Sequence, residues 1–548
     1  MSQSQPQPRR SRAAGFGTAL VALLTALVLL AATNGAGAED TESRPRPPAN
    51  WSSWQFDQAG SRFNGQESRI TPATVGNLGL KWAFGHEKVQ GVYLGSQPAV
   101  ADGTLYVGGA EGTFHAMDAR TGAARWTFDV TPVAGAHSAT NPDPVRSSPA
   151  VEGNTVYFGD NRGYLYALDR RTGALRWSLK LDTHPQAQIT SSPLVYNGQV
   201  YVGVSSKESG ATFDLTYPCC TFRGSVVAVN AYTGQLSWRH WTTPQPQQVG
   251  TWPNGAARYE PSGVAVWSSP VVDRETGTIY VGTGQNYTGA AGDTDSVLAL
   301  DARNGNVRWR SQEVFPDTFT VACGIPGADA YCPSKANGTD HDWDFGASAN
   351  VFSIGHRRVI GIGQKNGVYH VYDALTGAKV WDRAVVADPN TKGGSSGIQW
   401  GTSYDGTRLY VATWFANPGT LYALDPATGA ILWQTESPAD GCQWGGAAAN
   451  PELCQRAFTP AVTATRGLVY EGGADGKMRV FSATTGAVLW QYDVVRDFTT
   501  VNGVPGHGTA LSGGGGAVVA DGMLYVQAAY YPQYPSNAGG VLLAFSLP

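Results

Sequence analysis

The sequence predicts an all-β fold, an eight-bladed β-propeller whose last blade is closed by both ends of the chain. Two observations carry this. The 548 residues include 69 glycines, 17 tryptophans and 24 tyrosines but only 15% charged side chains, a balance that suits short strands and tight turns. One sequence unit also recurs along most of the chain, the signature of a repeat architecture.

The first clear copy of the unit is Gly103-Thr104-Leu105-Tyr106-Val107-Gly108, then Phe114-His115-Ala116-Met117-Asp118, then Thr121-Gly122 and Trp126. The alternating Leu-Tyr-Val run reads as a strand, and the run ending at Asp118 as a second strand entering a turn. Asp118 can hold that turn by bonding to nearby backbone, and Gly122 supplies the positive φ of a tight hairpin. Trp126 opens the next strand and is large enough to pack between neighbouring sheets. The pattern returns at Asp169/Gly173/Trp177, Asn230/Gly234/Trp238, Asp301/Gly305/Trp309, Asp373/Gly377/Trp381, Asp425/Gly429/Trp433 and Ser482/Gly486/Trp490, which makes seven copies. An eighth is split: Met523-Leu524-Tyr525-Val526 and Leu543-Ala544-Phe545-Ser546 lack a tryptophan, and Leu80-Lys81-Trp82 supplies one from the other end. Joining both termini in one blade closes the ring and removes its sheet edges.

No linker interrupts the repeats, so residues 50–548 read as one propeller domain. Residues 39–50 read as a flexible, Pro- and charge-rich segment. Residues 1–38 have the layout of a secretory signal peptide: Arg9, Arg10 and Arg12, an apolar run from Ala19 to Ala32, then Ala36-Gly37-Ala38. The run is too short for a membrane span, so no span is expected in the mature chain and the protein is expected to be secreted or extracytoplasmic, by the general or the twin-arginine route. Without residues 1–38, which hold three arginines and no acid, the chain carries 35 basic and 42 acidic side chains, net −7. No basic stripe is present, and nucleic acid is excluded as a partner class. The six cysteines fall in three close pairs, Cys219/Cys220, Cys323/Cys332 and Cys442/Cys454. In an exported chain, local disulfides are expected, with the connectivity left open. The glycine run 513–516 lacks the Lys-Ser/Thr of a phosphate loop and reads as a connecting turn. Long insertions near 208–223, 241–263, 313–347 and 387–400 are where function is expected on a rigid scaffold.

The repeat endings, Ala-x-Asp-x-x-Thr-Gly-x-x-x-Trp, resemble those of the pyrroloquinoline-quinone (PQQ) dependent quinoprotein alcohol dehydrogenases. The resemblance covers nearly all of the mature chain, and the 51–82 stretch looks like that family's opening segment. It implies PQQ and Ca²⁺ as cofactors and an alcohol as substrate. Thr190 and Glu208, eighteen residues apart, match a family threonine and a calcium-ligating glutamate, a hard oxygen donor as Ca²⁺ requires. Trp267 matches the tryptophan beneath the quinone, where an indole gives a flat apolar floor. The next family ligand is an Asn, but Gln285 occupies its position here and Asn286 follows, so the amide ligand is one of the two. Asp344, in His341-Asp342-Trp343-Asp344-Phe345-Gly346, matches the catalytic base and is a further metal ligand. Some relatives carry a second aspartate two residues on, associated with lanthanides; Gly346 stands there, which implies calcium. Lys365, in Lys365-Asn366-Gly367, matches a cation that bonds the quinone oxygens and would stabilise charge developing on reduction.

The family also has an adjacent-cysteine disulfide over the quinone face, in an earlier blade. Here Cys219 and Cys220 sit in the third, within Cys219-Cys220-Thr221-Phe222-Arg223-Gly224-Ser225. That string and Gly284-Gln285-Asn286-Tyr287-Thr288 look most like polyvinyl-alcohol dehydrogenases and their relatives, which implies secondary or polymeric alcohols over methanol. Arg223 is expected to bind a quinone carboxylate. The chain has no Cys-x-x-Cys-His haem motif, so electrons are expected to pass to a separate acceptor such as a cytochrome c.

Two rival readings stand beside this one. A propeller without cofactor could be a binding or assembly scaffold, because fold alone proves no activity. Asp342 and Asp344 could instead serve a polysaccharide hydrolase. A zinc site at His341 is not expected, since no His or Cys lies at ligand spacing from it.

Overall fold

The computed structural model describes residues 50–548 apart from 88, 90–94, 136–144, 336–340, 388–396, 415, 441, 443–453, 512 and 530–539. The leader expected over 1–38 and all but Asn50 of the 39–50 segment lie outside the described residues.

Eight antiparallel sheets form the ring. The first blade runs outward from the axis through Ala99–Ala101, Thr104–Gly108, Thr113–Asp118 and Ala124–Asp129. The innermost strands of the second to seventh blades are Ala150–Glu152, Leu194–Tyr196, Val271–Asp273, Asn350–Ile354, Ser403–Tyr404 and Thr463–Thr465. The eighth takes Val518–Ala520, Met523–Ala528 and Val541–Ser546 from the C-terminus and Gly79–Gly85 from the N-terminus, with Trp82 opposite Ala544. The expected closure by both termini is what the chain does.

The repeat residues lock one blade to the next. Each Asp or Asn of the unit turns its side chain onto the following backbone, as Asp118 Oδ1 does for the N–H groups of Arg120 and Thr121, both at 3.0 Å. The indole N–H of Trp82, Trp126, Trp177, Trp238, Trp309, Trp381, Trp433 and Trp490 each donates to a backbone carbonyl one blade further on, at 2.9–3.3 Å. The Gly of each repeat turn has φ near +70° and lies under the tryptophan of the preceding blade. A Cβ there would come within 2.5–3.0 Å of the indole, so glycine is required both by the turn and by the packing. At the seam Trp490 has no such turn to meet and donates to Leu78 O at 3.1 Å instead, with Phe545 edge-on to its ring.

Residues 51–64 circle the axis and bond to the innermost strand of every blade in turn. Trp51 pairs with Val100, Ser52 O accepts from Val151, and Gln58 reaches both Val195 O and the Val272 N–H. Ala59, Ser61 and Arg62 carbonyls accept from Val351, Tyr404 and Ala464, and the Asn64 amide donates to Val519 O. The segment thereby satisfies an inner sheet edge that would otherwise be open. Arg62 is fully buried beneath it and donates to Val462 O, Trp54 O, Gln97 Oε1 and Thr463 Oγ1.

All three expected local disulfides are present: Cys219–Cys220, Cys323–Cys332 and Cys442–Cys454.

Candidate active site

At one end of the axis, above Trp54, lies a cavity of about 320 Å³. The blade repeat itself selects much of its wall. Five residues before the strand residue that bonds to the 51–64 segment (Val100, Val151, Val195, Val272, Val351 and Val519) stand Gly95, Arg146, Thr190, Trp267, Gly346 and Gly514 in blades one to five and eight. Trp400, two before Thr402 as Trp267 is two before Ser269, holds the matching place in blade six; all seven line the cavity. Two residues further along each chain, Ser148, Ser192, Ser269 and Ser348 form a belt around the floor, each hydroxyl accepting the backbone N–H of the neighbouring blade at 2.8–3.0 Å. Loops that leave the second strand of a blade add Gln285 and Lys365, and the insertion before the fifth blade adds Asp342 and Asp344.

Asp344 is 5% exposed and faces this space. Its Oδ1 accepts the Gln285 N–H at 2.7 Å, while Oδ2 accepts the Trp267 indole N–H at 3.2 Å and the Lys365 ammonium at 3.4 Å. Lys365 also pairs with Asp342 at 2.7 Å. Burial raises the Asp344 carboxyl above the usual carboxylate range, against the opposing pull of Lys365. Burial works against the Lys365 charge, but Asp342 and Asp344 outweigh it and hold the ammonium protonated. Trp267 meets Trp400 edge to face at 5.3 Å, and a Cβ at Gly346 would overlap its ring. An aspartate at 346 is therefore incompatible with Trp267 where it stands.

The Gln285 side chain also reaches the Asp344 carboxylate, its amide nitrogen donating to both carboxylate oxygens. Asn286 is engaged elsewhere. It is fully buried, its amide nitrogen donates to Ser262 O and Ala291 O, and its Oδ1 accepts from the Ala291 N–H. Behind Gln285 lie two further acids, Asp295 and Asp317, both buried. Burial and the neighbouring Asp317 hold Asp295 well above the carboxylate range, and burial pushes Asp317 up to about 7.

Of the residues singled out by sequence, Thr190, Trp267, Gln285, Asp344 and Lys365 meet in the cavity wall. Glu208, Cys219, Cys220, Arg223 and Asn286 stand outside that lining. Glu208 is fully buried behind Ser206 and Ser209, and its two oxygens accept the N–H groups of Thr221 at 2.8 Å and Phe222 at 2.9 Å, with the Tyr217 hydroxyl at 3.2 Å. It thus anchors the segment that follows the Cys219–Cys220 disulfide. The disulfide packs one layer back, in a cluster with Ala265, Tyr287 and Trp267. Arg223 lies over Trp241 at 4.2 Å and donates to Thr243 O and Gln245 Oε1. The arginine in the cavity is Arg146, which packs against Trp400 at 5.8 Å. Sequence reading passed over Arg146 and Trp400, although the register that picks out Thr190 and Trp267 picks them out too.

The wall offers what PQQ, a planar tricarboxylate quinone, requires: an indole, a guanidinium, an ammonium and a belt of hydroxyls. The four nearby acids, Asp295, Asp317, Asp342 and Asp344, against Lys365, suit a divalent cation.

Comparison with known proteins agrees. Residues 51–323 match the family described as "Glucose/ethanol/alcohol dehydrogenase, beta-propeller domain", and residues 364–531 match "Outer membrane protein assembly factor BamB". The polyvinylalcohol dehydrogenase of Sphingopyxis sp. (strain 113P3) is 31% identical over 525 residues, covering 91% of this chain and 76% of that protein. The quinohemoprotein alcohol dehydrogenase ADH-IIG of Pseudomonas putida is 27% identical, covering 81% of this chain and 69% of its own length. The crystal structure of the quinohemoprotein alcohol dehydrogenase from Comamonas testosteroni superposes with a TM-score of 0.64 at 22% identity, over 91% of this chain and 80% of that one. This chain belongs to the PQQ-dependent quinoprotein alcohol dehydrogenases. It is an oxidoreductase acting on alcohols, and within the family its motifs are similar to those of the polyvinyl alcohol dehydrogenases.

Proposed function

We propose that the protein is an exported, PQQ- and calcium-dependent dehydrogenase of secondary or polymeric alcohols, polyvinyl-alcohol-like in substrate, that passes electrons to a separate acceptor such as a cytochrome c. The observation that carries the reading is the Asp344 carboxylate, buried at the cavity wall between the Trp267 indole, the Gln285 amide and the Lys365 ammonium.

When bound, PQQ accepts the hydride equivalent from the alcohol carbon and Ca²⁺ polarises the group it touches. Asp344 takes the hydroxyl proton. An aspartate in water is a weak base, its carboxyl titrating at about pH 3.9, but burial makes this one more basic and excludes water, and position counts as much as basicity. Lys365 stays cationic beside it and stabilises negative charge as electrons arrive. Trp267 is the floor, and Arg146 is placed for a carboxylate. The calcium set is Asp344 and Gln285, with Glu208 behind them. The polymeric substrate rests on the likeness to the Sphingopyxis polyvinylalcohol dehydrogenase. Export rests on the leader-like residues 1–38 and on three disulfides. Among the described residues no helix is long and apolar enough to cross a membrane.

The test is reconstitution. Purified protein given PQQ and Ca²⁺ is expected to reduce an artificial dye with 2-alcohols or polyvinyl alcohol, faster than with methanol or glucose. Binding of PQQ without turnover of any alcohol would favour the scaffold reading, and PQQ-independent glycan cleavage the hydrolase.

A further inference from the structure

A second group of metal-ligand side chains lies at the seam where the eighth blade meets the first. His86 follows strand Gly79–Gly85, Glu111 lies in the turn after Thr104–Gly108, and His115 is in Thr113–Asp118. One ligand atom from each lies within 4.8 Å of the other two. The site is at the same end of the ring as the cavity, since Glu111 leaves its blade where Gln285 and Lys365 leave theirs. It is across the axis from Asp344, and none of its residues lines the cavity.

The side chains are not satisfied as they stand. His86 is 1% exposed, and among the described residues neither ring nitrogen makes a well-formed hydrogen bond, although the Gln527 amide lies beside the ring. A buried imidazole left without a partner is destabilising. Glu111 binds His115 Nε2 through Oε1 at 2.7 Å, while its Oε2 is buried with no partner in another described residue. Gln527, on Met523–Ala528, is 3% exposed; its nitrogen donates to Ser96 O, and its Oε1 makes no well-formed hydrogen bond among the described residues while its amide neighbours His86. Phe84 closes one side, edge-on to both imidazoles at 5.5 and 5.1 Å. Gly109 makes room for the Glu111 carboxylate, which a Cβ there would strike.

The geometry points to a zinc-type divalent-metal site formed by His86, Glu111 and His115, with Gln527 Oε1 or a water completing four-coordination. Two imidazoles and a carboxylate are a zinc donor set, and an imidazole-rich set favours zinc or another late first-row ion over calcium. The 2.7 Å His115–Glu111 contact is shorter than the ~3.3 Å between ligands around tetrahedral zinc. Binding therefore exchanges that hydrogen bond for two metal bonds and gives the unpaired atoms of His86 and Glu111 a partner. His86 comes from the N-terminal strand that completes the eighth blade, and Glu111 and His115 from the first. The ion would clasp the ring at the joint between them.

The test uses the full mature chain, stripped with a chelator and then saturated with Ca²⁺ so that any calcium site is filled. Zn²⁺ is added and bound metal is counted by elemental analysis after desalting. One zinc per chain is expected, with a rise in thermal midpoint that Mg²⁺ does not give. Glu111→Gln and His115→Gln are expected to weaken zinc binding at least about tenfold, while Glu208→Gln and Asp344→Asn leave it unchanged. Co²⁺ in unmodified protein is expected to give the intense visible bands of a tetrahedral N/O site, a readout independent of whether a variant folds. No retained zinc with only the pale spectrum of aqueous Co²⁺, or zinc binding unaltered in both site variants, would overturn the proposal.

Discussion

At the rim of the ring, eight indoles each find a carbonyl of the next blade. At the cavity end, buried carboxylates crowd within reach of one another's charge, Asp295 against Asp317 and both near Asp344. The same four-stranded blade builds both regions. The rim repeats one satisfied contact around the circle, so any copy resembles any other. At the cavity the seven wall positions hold Gly, Arg, Thr, Trp, Gly, Trp and Gly, and the ring's symmetry is spent on chemical difference. Stability is expected to follow the rim and activity the cavity.

The largest effect that could break this division is at Trp309, which is 8% exposed and donates to Ala374 O at 2.9 Å. Trp309→Ala is expected to cost about 3–5 kcal/mol of stability, read by denaturant unfolding, with turnover per folded, PQQ-loaded molecule unchanged. A comparable loss of turnover would show that rim and site are not separable.

Asp344→Asn makes the converse change. Shape and most hydrogen bonds are kept and the base is removed, so turnover is expected to fall about 10²-fold or more with PQQ still bound and the unfolding midpoint little altered. Near-normal turnover in a loaded variant would mean that another group takes the proton.

Glu208→Gln sharpens the comparison, because Glu208 has two possible tasks. If it ligates calcium, the variant needs about tenfold or more Ca²⁺ for half-maximal activity and recovers when calcium is raised. If it only anchors the segment after Cys219–Cys220 through Thr221 and Phe222, PQQ is retained less well and added calcium restores nothing.

The smallest effect concerns Glu471, a buried acid of the seventh blade with no side-chain hydrogen-bond partner among the described residues. Burial raises it well above its ordinary 4.5, and the charge of Arg62 only partly opposes this. The unfolded chain releases this proton at lower pH than the folded one does. Its contribution to stability is therefore complete below about pH 4.5 and declines as pH rises above that. Glu471→Gln is expected to flatten the fall of stability between pH 5 and 8, read by denaturant unfolding at each pH. An unchanged slope would locate the alkaline loss elsewhere.

The blade count, the closure by Trp82 and the Gly–Trp rim were legible because each copy is local. A turn needs Asp and Gly at fixed offsets, and the strand after it needs its tryptophan, whatever lies further away. The cavity was partly legible for a related reason: Thr190, Trp267, Gln285, Asp344 and Lys365 sit at places the repeat register sets, and that register also marks Arg146 and Trp400. What no local signal could show is where a side chain finds its partner across the ring. Glu208 turned to the amides of Thr221 and Phe222, Asn286 closed its own loop, and Arg223 lay down on Trp241, each because burial made the nearest donor, acceptor or ring decisive. Residues 51–64 are the plainest case. By itself the segment reads as an irregular stretch of small and polar residues, and its order comes from eight inner strands that each lack one backbone partner until the ring is closed.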